Sequence, residues 1–307
     1  MSFSLKSRFV LAILVFFVFL GPRPLYALSA GCTKGDCQNG TGTYVFQNGD
    51  QYSGQFKNGK AHGKGQFRTQ KGDLYDGQWQ NDRQHGQGRL SDAEGNKYVG
   101  QFKNGLWHGK GTYHYANGDR YVGEFQNGRI QGRGVLTLAD GGRYESNFKN
   151  GVPDGIGKIF SGDGDRFEGD LKNGSIHGRG TFYFKNGDIY QGTWQNGQME
   201  GTGILTTADG SKYNGGFKGG KRDGRGMLSI ADGRKYVGDF KKDQMDGQGL
   251  MTWPDGSIYV GTFKKSRIHG QGTMTTAEGR KISGQWVDGE FVEKDTTAED
   301  IGKEINK

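Results

Sequence analysis

Five of the six histidines in this chain, His62, His85, His108, His177 and His269, occupy one position of a recurring pattern. A row of imidazoles suggests a metal site or a proton-sensing surface. Consecutive members stand two strands apart in a hairpin array, about 9–10 Å, whereas zinc holds its ligands at roughly 2 Å. Neighbouring histidines therefore do not share an ion, and the spacing predicts imidazoles that are solvated or bonded to turns. Asp163, Asp165, Glu168 and Asp170 gather carboxylates near one turn, but not at the spacing of a calcium loop. No Gly-x-Ser-x-Gly, phosphate-loop or His-Glu-x-x-His pattern occurs. The many Gly-x-Gly pairs lack a third glycine three places on and open no helix, so they are not dinucleotide sites. The expectation is a protein that is not an enzyme and uses no metal or cofactor.

Contact chemistry is better represented. Lys57, Lys103, Lys149, Lys172, Lys218, Lys241 and Lys264 share one position and form a row along one long edge. Each lysine near an anionic surface contributes roughly 1 kcal/mol, so the row could hold an anionic membrane by avidity. It could equally be a solvated edge that blocks sheet-to-sheet pairing. Trp79, Trp107, Trp194 and Trp253 are large amphipathic residues suited to gripping a protein partner laid along an aromatic groove. The formal net charge of +8 permits attraction to anionic lipid, polysaccharide or acidic protein and requires none of them. No nucleic-acid partner is expected.

A strict period positions all of these residues. Tyr52, Tyr75, Tyr98, Tyr121, Tyr144, Phe167, Tyr190, Tyr213, Tyr236 and Tyr259 follow one another at steps of 23 residues, and Ile282 takes the eleventh place. Fixed-period self-similarity marks a repeat array. Counting each aromatic anchor as position zero, glycine sits at plus two (Gly54, Gly77) and a large apolar residue at plus four (Phe56, Trp79, Phe102). That alternation is the pattern of a half-buried strand. Asn-Gly at plus six and plus seven, as in Asn58-Gly59 and Asn104-Gly105, predicts a type I′ hairpin turn. Plus four then pairs across to plus nine. Carried down the return strand, this register sets Gly63 against Gly54 and Gly65 against Tyr52, so that glycine lies beneath the ring. The second turn reads Ala139-Asp140-Gly141 or Pro254-Asp255-Gly256, a three-residue loop closed by a left-handed glycine. The predicted fold is all-β: an elongated, twisted, single-layer antiparallel meander, two strands per unit and on the order of 100 Å long before twist.

The ends differ from the array. Lys6 and Arg8 precede twelve apolar residues, Phe9 to Leu20, and the small-residue stretch Ala27-Leu28-Ser29-Ala30-Gly31 follows. Residues 1–31 have the layout of a secretory signal peptide, and the apolar run is short of the roughly 20 residues of a spanning helix. The sequence thus predicts export to a periplasm, cell surface or extracellular space, with a bacterial envelope favoured. Cys32 and Cys37 are the only cysteines. They read as one disulfide closing the loop Cys32-Thr-Lys-Gly-Asp-Cys37. Alternatively, Leu28-Ser29-Ala30-Gly31-Cys32 resembles a loose bacterial lipobox, with Cys32 the lipidated first residue. Two thiols without a nearby histidine fall short of a four-ligand metal set. Residues 32–39 are expected to cap the first strand, 40–289 to form the array and 290–307 to form an acidic tail beside the last strand. Open sheet ends invite pairing, so end-to-end homodimers are expected where neither terminus caps.

The unit Tyr-x-Gly-x-Phe-x-Asn-Gly-x-x-x-Gly-x-Gly, as in Tyr52 to Gly65, resembles the MORN repeat (membrane occupation and recognition nexus) over about residues 40–289. Departures are local: Phe167 and Ile282 lose the tyrosine hydroxyl, Ser146 replaces a glycine and Leu171 an aromatic. The resemblance implies an all-β single-sheet solenoid and non-catalytic work: scaffolding, contact with a protein partner, or binding of membrane phospholipid.

Overall fold

The computed structural model of the chain describes residues 31–292. The expected leader, except for Gly31, and the tail beyond Val292 lie outside the described residues. Within them stand twenty-four β-strands and no helix. The described residues divide into two compact units, 31–175 and 176–292. In the first unit, each strand from Cys32–Gly35 to Arg166–Lys172 pairs antiparallel with the next in chain order. The second unit repeats this from Ser175–Tyr183 to Glu290–Val292.

Both turns follow from local chemistry. Asn58 and Gly59 hold φ at 50° and 71°, the two positive values that a type I′ turn requires. In the second turn the N–H of Gly141 donates to the Leu138 carbonyl at 3.0 Å, and the N–H of Leu138 donates to the Gly142 carbonyl at 2.7 Å. Gly141, at φ 88°, closes this three-residue loop.

The return strand corrects one expectation. Phe56 faces Ala61, as the turn demands, but Gly54 then faces Gly65 and Tyr52 faces Phe67. The expected facings of Gly63 with Gly54 and of Gly65 with Tyr52 are both displaced by two residues. The cause is a bulge: Gly63 turns left-handed at φ 63°, and the return strand takes in extra residues between the two paired stretches. The glycines still lie under the ring. A Cβ on Gly88 would sit 2.6 Å from Tyr75 Oη and 2.7 Å from its Cε2. Facing it, a Cβ on Gly77 would meet the Gly88 Cα at 2.6 Å, so neither position has room for a side chain.

The core is a chain of rings. Tyr98 stands edge-on to Phe102 of its own repeat (centroids 5.1 Å apart) and to Phe125 of the next (5.0 Å). Tyr75 does the same with Trp79 (5.1 Å) and Phe102 (4.9 Å). Each edge-to-face pair is worth about 0.5–1.5 kcal/mol beyond the area it buries. By interleaving, the rings cover one another, and the anchors Tyr98, Tyr121, Tyr190, Tyr236 and Tyr259 are fully buried.

Candidate functional site

The bulge interrupts the ladder at plus three, and most tyrosine-anchored repeats mend it in the same way, while Phe167 and Ile282 have no hydroxyl to do so. Tyr52, Tyr75 and Tyr98 donate their hydroxyls to the carbonyls of Gln55, Gln78 and Gln101, each at 2.8 Å. Tyr213 and Tyr236 do so to Gly216 and Asp239 at 2.9 and 3.0 Å. The plus-three side chain serves the other strand: Gln78 Oε1 accepts from the Gln87 N–H at 2.8 Å and Asp239 Oδ2 from the Gln248 N–H at 3.0 Å. The anchor is therefore tyrosine rather than phenylalanine because a bulged carbonyl needs a donor. Burial pushes the hydroxyls of Tyr52, Tyr190 and Tyr236 up to about 12, so they remain protonated donors.

Polar residues at the sheet edges are spent on backbone. At plus ten, Asn39 Oδ1 accepts from the Asn58 N–H (2.9 Å), Gln131 Oε1 from the Asn150 N–H (3.0 Å) and Glu200 Oε2 from the Gly219 N–H (2.8 Å), each in the following repeat. At the opposite edge, Asp73, Asp119 and Asp188 accept from the N–H groups of Ala93, Ala139 and Ala208 at 2.8–3.0 Å. Histidine takes the plus-ten place in five repeats. In four of them the residue is half-buried and keeps part of its surface in contact with solvent. The Nδ1 atoms of His62, His85, His108 and His269 are buried and carry no hydrogen bond. His269 Nδ1 lies 3.8 Å from Asp288 Oδ1. Among the described residues no group of three His, Cys, Asp or Glu side chains is placed to hold a metal ion.

The contact candidates separate. Trp79 and Trp194 are buried, and their indole N–H groups donate to the carbonyls of Gly65 (3.0 Å) and Gly180 (3.3 Å). Trp107 stacks on Tyr98 at 4.8 Å and, like Trp253, is half-buried. Lys57, Lys103, Lys149, Lys172, Lys218, Lys241 and Lys264 are all exposed. The sulfurs of Cys32 and Cys37 are bonded at 2.10 Å, ahead of the first full repeat.

One surface was not singled out by the sequence reading. On the face turned away from the rings, Met227 pairs with Val237, Val237 with Leu250 and Leu250 with Val260. These four are 50%, 47%, 37% and 52% exposed and form one stripe across four neighbouring strands. The available clue was apolar residues recurring at plus one and plus fourteen, positions that alternation assigns to water.

The family model of the MORN repeat matches residues 38–51, 52–74, 75–97, 98–120, 121–143, 144–166, 167–189, 190–212, 213–233, 236–258 and 259–279. Among solved structures, the TCP10 domain of Danio rerio CPAP in complex with a peptide of Danio rerio STIL is 11% identical, with 80% of this chain and 98% of that one covered and a TM-score of 0.40. The TCP domain of Drosophila melanogaster SAS-4, in complex with a proline-rich motif of Ana2, is 13% identical over 58% of this chain and 85% of that one, with a TM-score of 0.30. Likeness of this degree carries no functional argument. No curated protein matches the chain. Eleven consecutive repeat matches, laid on hairpins whose anchors and glycines interlock as described, mean that the chain belongs to the MORN repeat family.

Proposed function

We propose that this protein is a non-enzymatic contact module that receives a protein partner on the outward face of its second unit, in the cell envelope or outside the cell. The observation that carries the reading is the stripe Met227, Val237, Leu250 and Val260. On the same strands and face the stripe is bordered by the uncharged Ser229, Gln248, Thr252 and Thr262 and by the charged Arg225, Lys235 and Asp239. Contiguous exposed apolar residues with a polar rim are characteristic of interaction surfaces. The rings of the aromatic face bury one another in large part, and Trp107 and Trp253 are among those left half-buried, with Phe56 and Phe67. The test is site-specific photocrosslinking in the source cell. A photoreactive residue at Val260 is expected to capture one protein of discrete mass. Val237→Glu with Leu250→Glu is expected to abolish that product and leave the circular dichroism spectrum unchanged. Persistence of the product in the double variant refutes the stripe as the contact. Export rests on the leader pattern in residues 1–31; recovery of the protein only from the cytoplasmic fraction overturns it.

A second reading, attachment to an anionic membrane, is favoured by the exposure of the whole lysine row. It predicts liposome co-sedimentation that grows with anionic lipid and weakens with salt. Sedimentation indifferent to both removes it.

A further inference from the structure

Cationic residues are not spread evenly along the Asn-Gly edge. In the second unit three consecutive hairpin tips read Lys218-Gly219-Gly220-Lys221, Lys241-Lys242-Asp243-Gln244 and Lys264-Lys265-Ser266-Arg267, which together hold seven cations. The tip before them, Gln195-Asn196-Gly197-Gln198, and the tip after them, Val287-Asp288-Gly289-Glu290, hold none. All seven cations are exposed. The patch is thus bounded at both ends, unlike the general lysine row.

Two features of this patch work against folding. Lys218 is the cross-strand partner of Lys221, and Lys264 of Arg267, so like charges face one another directly. In addition, Lys242 and Asp243 hold φ at 49° and 72°, and Lys265 and Ser266 at 50° and 66°. Six other repeats fill these two positions with Asn-Gly, the pair that suits left-handed backbone. Lysine at such a position is uncommon, and strain of this kind gathers where a surface has work to do. The nearby acids do not neutralise the patch. Asp223 and Asp246 accept from the backbone N–H groups of Lys242 and Lys265 at 3.2 Å, and Asp243 is held by Arg222 at 3.5 Å. None of the six lysines has a carboxylate within ion-pair distance among the described residues; Arg267 reaches Asp288 at 4.0 Å.

We infer that these three tips form a binding site for a linear anionic polysaccharide carrying sulfate or phosphate groups, with successive tips, about 10 Å apart, engaging successive anionic groups. The composition of the tips selects this class. They carry no aromatic side chain on which a base could stack. They carry no apolar side chain that could enter an acyl layer. What remains is charge arranged along a line, which suits a flexible anionic chain. The inference is independent of the protein-partner reading, because the tips lie on a hairpin edge and the apolar stripe on a strand face.

The experiment uses the full chain with heparin as probe, titrated over a range of salt concentrations. The wild type is expected to bind with an affinity that falls steeply as salt rises, as counterion release requires. Lys242→Asn with Lys265→Asn gives both tips the asparagine that the other repeats use. The double variant should keep or raise its melting temperature while heparin affinity falls about 25-fold, at the roughly fivefold that one lysine contributes near an anionic surface. Its salt slope should drop by about 2. Lys57→Gln with Lys60→Gln removes a facing pair outside the patch and is expected to leave affinity nearly unchanged. Three outcomes overturn the inference: no heparin binding by the wild type, equal losses in the two double variants, or binding of phosphatidylglycerol-rich vesicles or duplex DNA at least as tight as of heparin.

Discussion

Removing one hydroxyl tests the central structural argument. In Tyr98→Phe the ring stays, with its edge-on contacts to Phe102 and Phe125 at 5.1 and 5.0 Å. Only the donor to the Gln101 carbonyl, at 2.8 Å, is lost. The same hydroxyl also approaches the His108 carbonyl at 3.5 Å, and that carbonyl, an acceptor, offers Gln101 no substitute donor. Tyr98 is 0% exposed, and the bond it makes to the Gln101 carbonyl is part-buried. A carbonyl left without its donor costs up to about 1–3 kcal/mol, the low end applying where water reaches it, and an unaltered ring leaves no cavity to add to that figure. Repeat arrays unfold through nearest-neighbour steps, so a global midpoint dilutes a local loss. The informative readout is amide exchange at Lys110, whose N–H donates to Gln101 Oε1 at 3.3 Å across the bulge. Exchange there should speed roughly five- to hundredfold, as an opening cheaper by about 1–3 kcal/mol implies. Exchange unchanged at Lys110, with an unchanged urea midpoint, would refute the claim that the tyrosine hydroxyl exists to cap the bulge.

Gly111→Ala places a Cβ 2.6 Å from Tyr98 Cε2 and 2.8 Å from its Cζ; overpacking of this kind costs about 1–3 kcal/mol or more, visible as a lowered melting temperature. His62→Gln substitutes a residue that reaches the next turn elsewhere in the array, as Gln131 does at 3.0 Å. It should be neutral or stabilising by about 0.5–1.5 kcal/mol, and a clear loss in denaturant unfolding would show that the imidazole has a partner. Tyr52, Tyr190 and Tyr236 have folded values raised to about 12 from 10.0 by burial. Folding therefore favours the protonated form, and the stability it contributes is complete below pH 10 and disappears as pH rises through 12. Tyrosinate absorbance of the folded chain should lag well behind that of the urea-unfolded chain, and coincident curves would exclude the burial reading. Intact mass before and after reduction checks the Cys32–Cys37 bond: a gain of two hydrogens is expected, whereas a lipid-sized increment on Cys32 would replace it.

Much of this molecule is legible in one dimension. The step from Tyr52 to Tyr75, the alternation through Gly54 and Phe56, and the chemistry of Asn58-Gly59 and Ala139-Asp140-Gly141 are local, and local rules set strands, turns and the plus-four to plus-nine pairing. The bulge is different. Gly63 is compatible with a straight strand and with a left-handed kink, and the choice is made by whether the Tyr52 hydroxyl and the Gln55 side chain can satisfy the groups that the kink releases. That is a property of two strands lying side by side, which spacing along one chain does not contain. The tryptophans make the same point: Trp79 and Trp107 are both indoles near a turn, yet one is spent on the Gly65 carbonyl and the other lies half-buried on Tyr98. The sequence alone thus determined the family, the hairpin and the charge along its edges, because these depend on residues near one another in the chain. Only the tertiary structure decided which hydroxyls are structural, which aromatics remain accessible and where apolar residues meet on the outer face, because each depends on what the neighbouring repeat brings within a few ångströms.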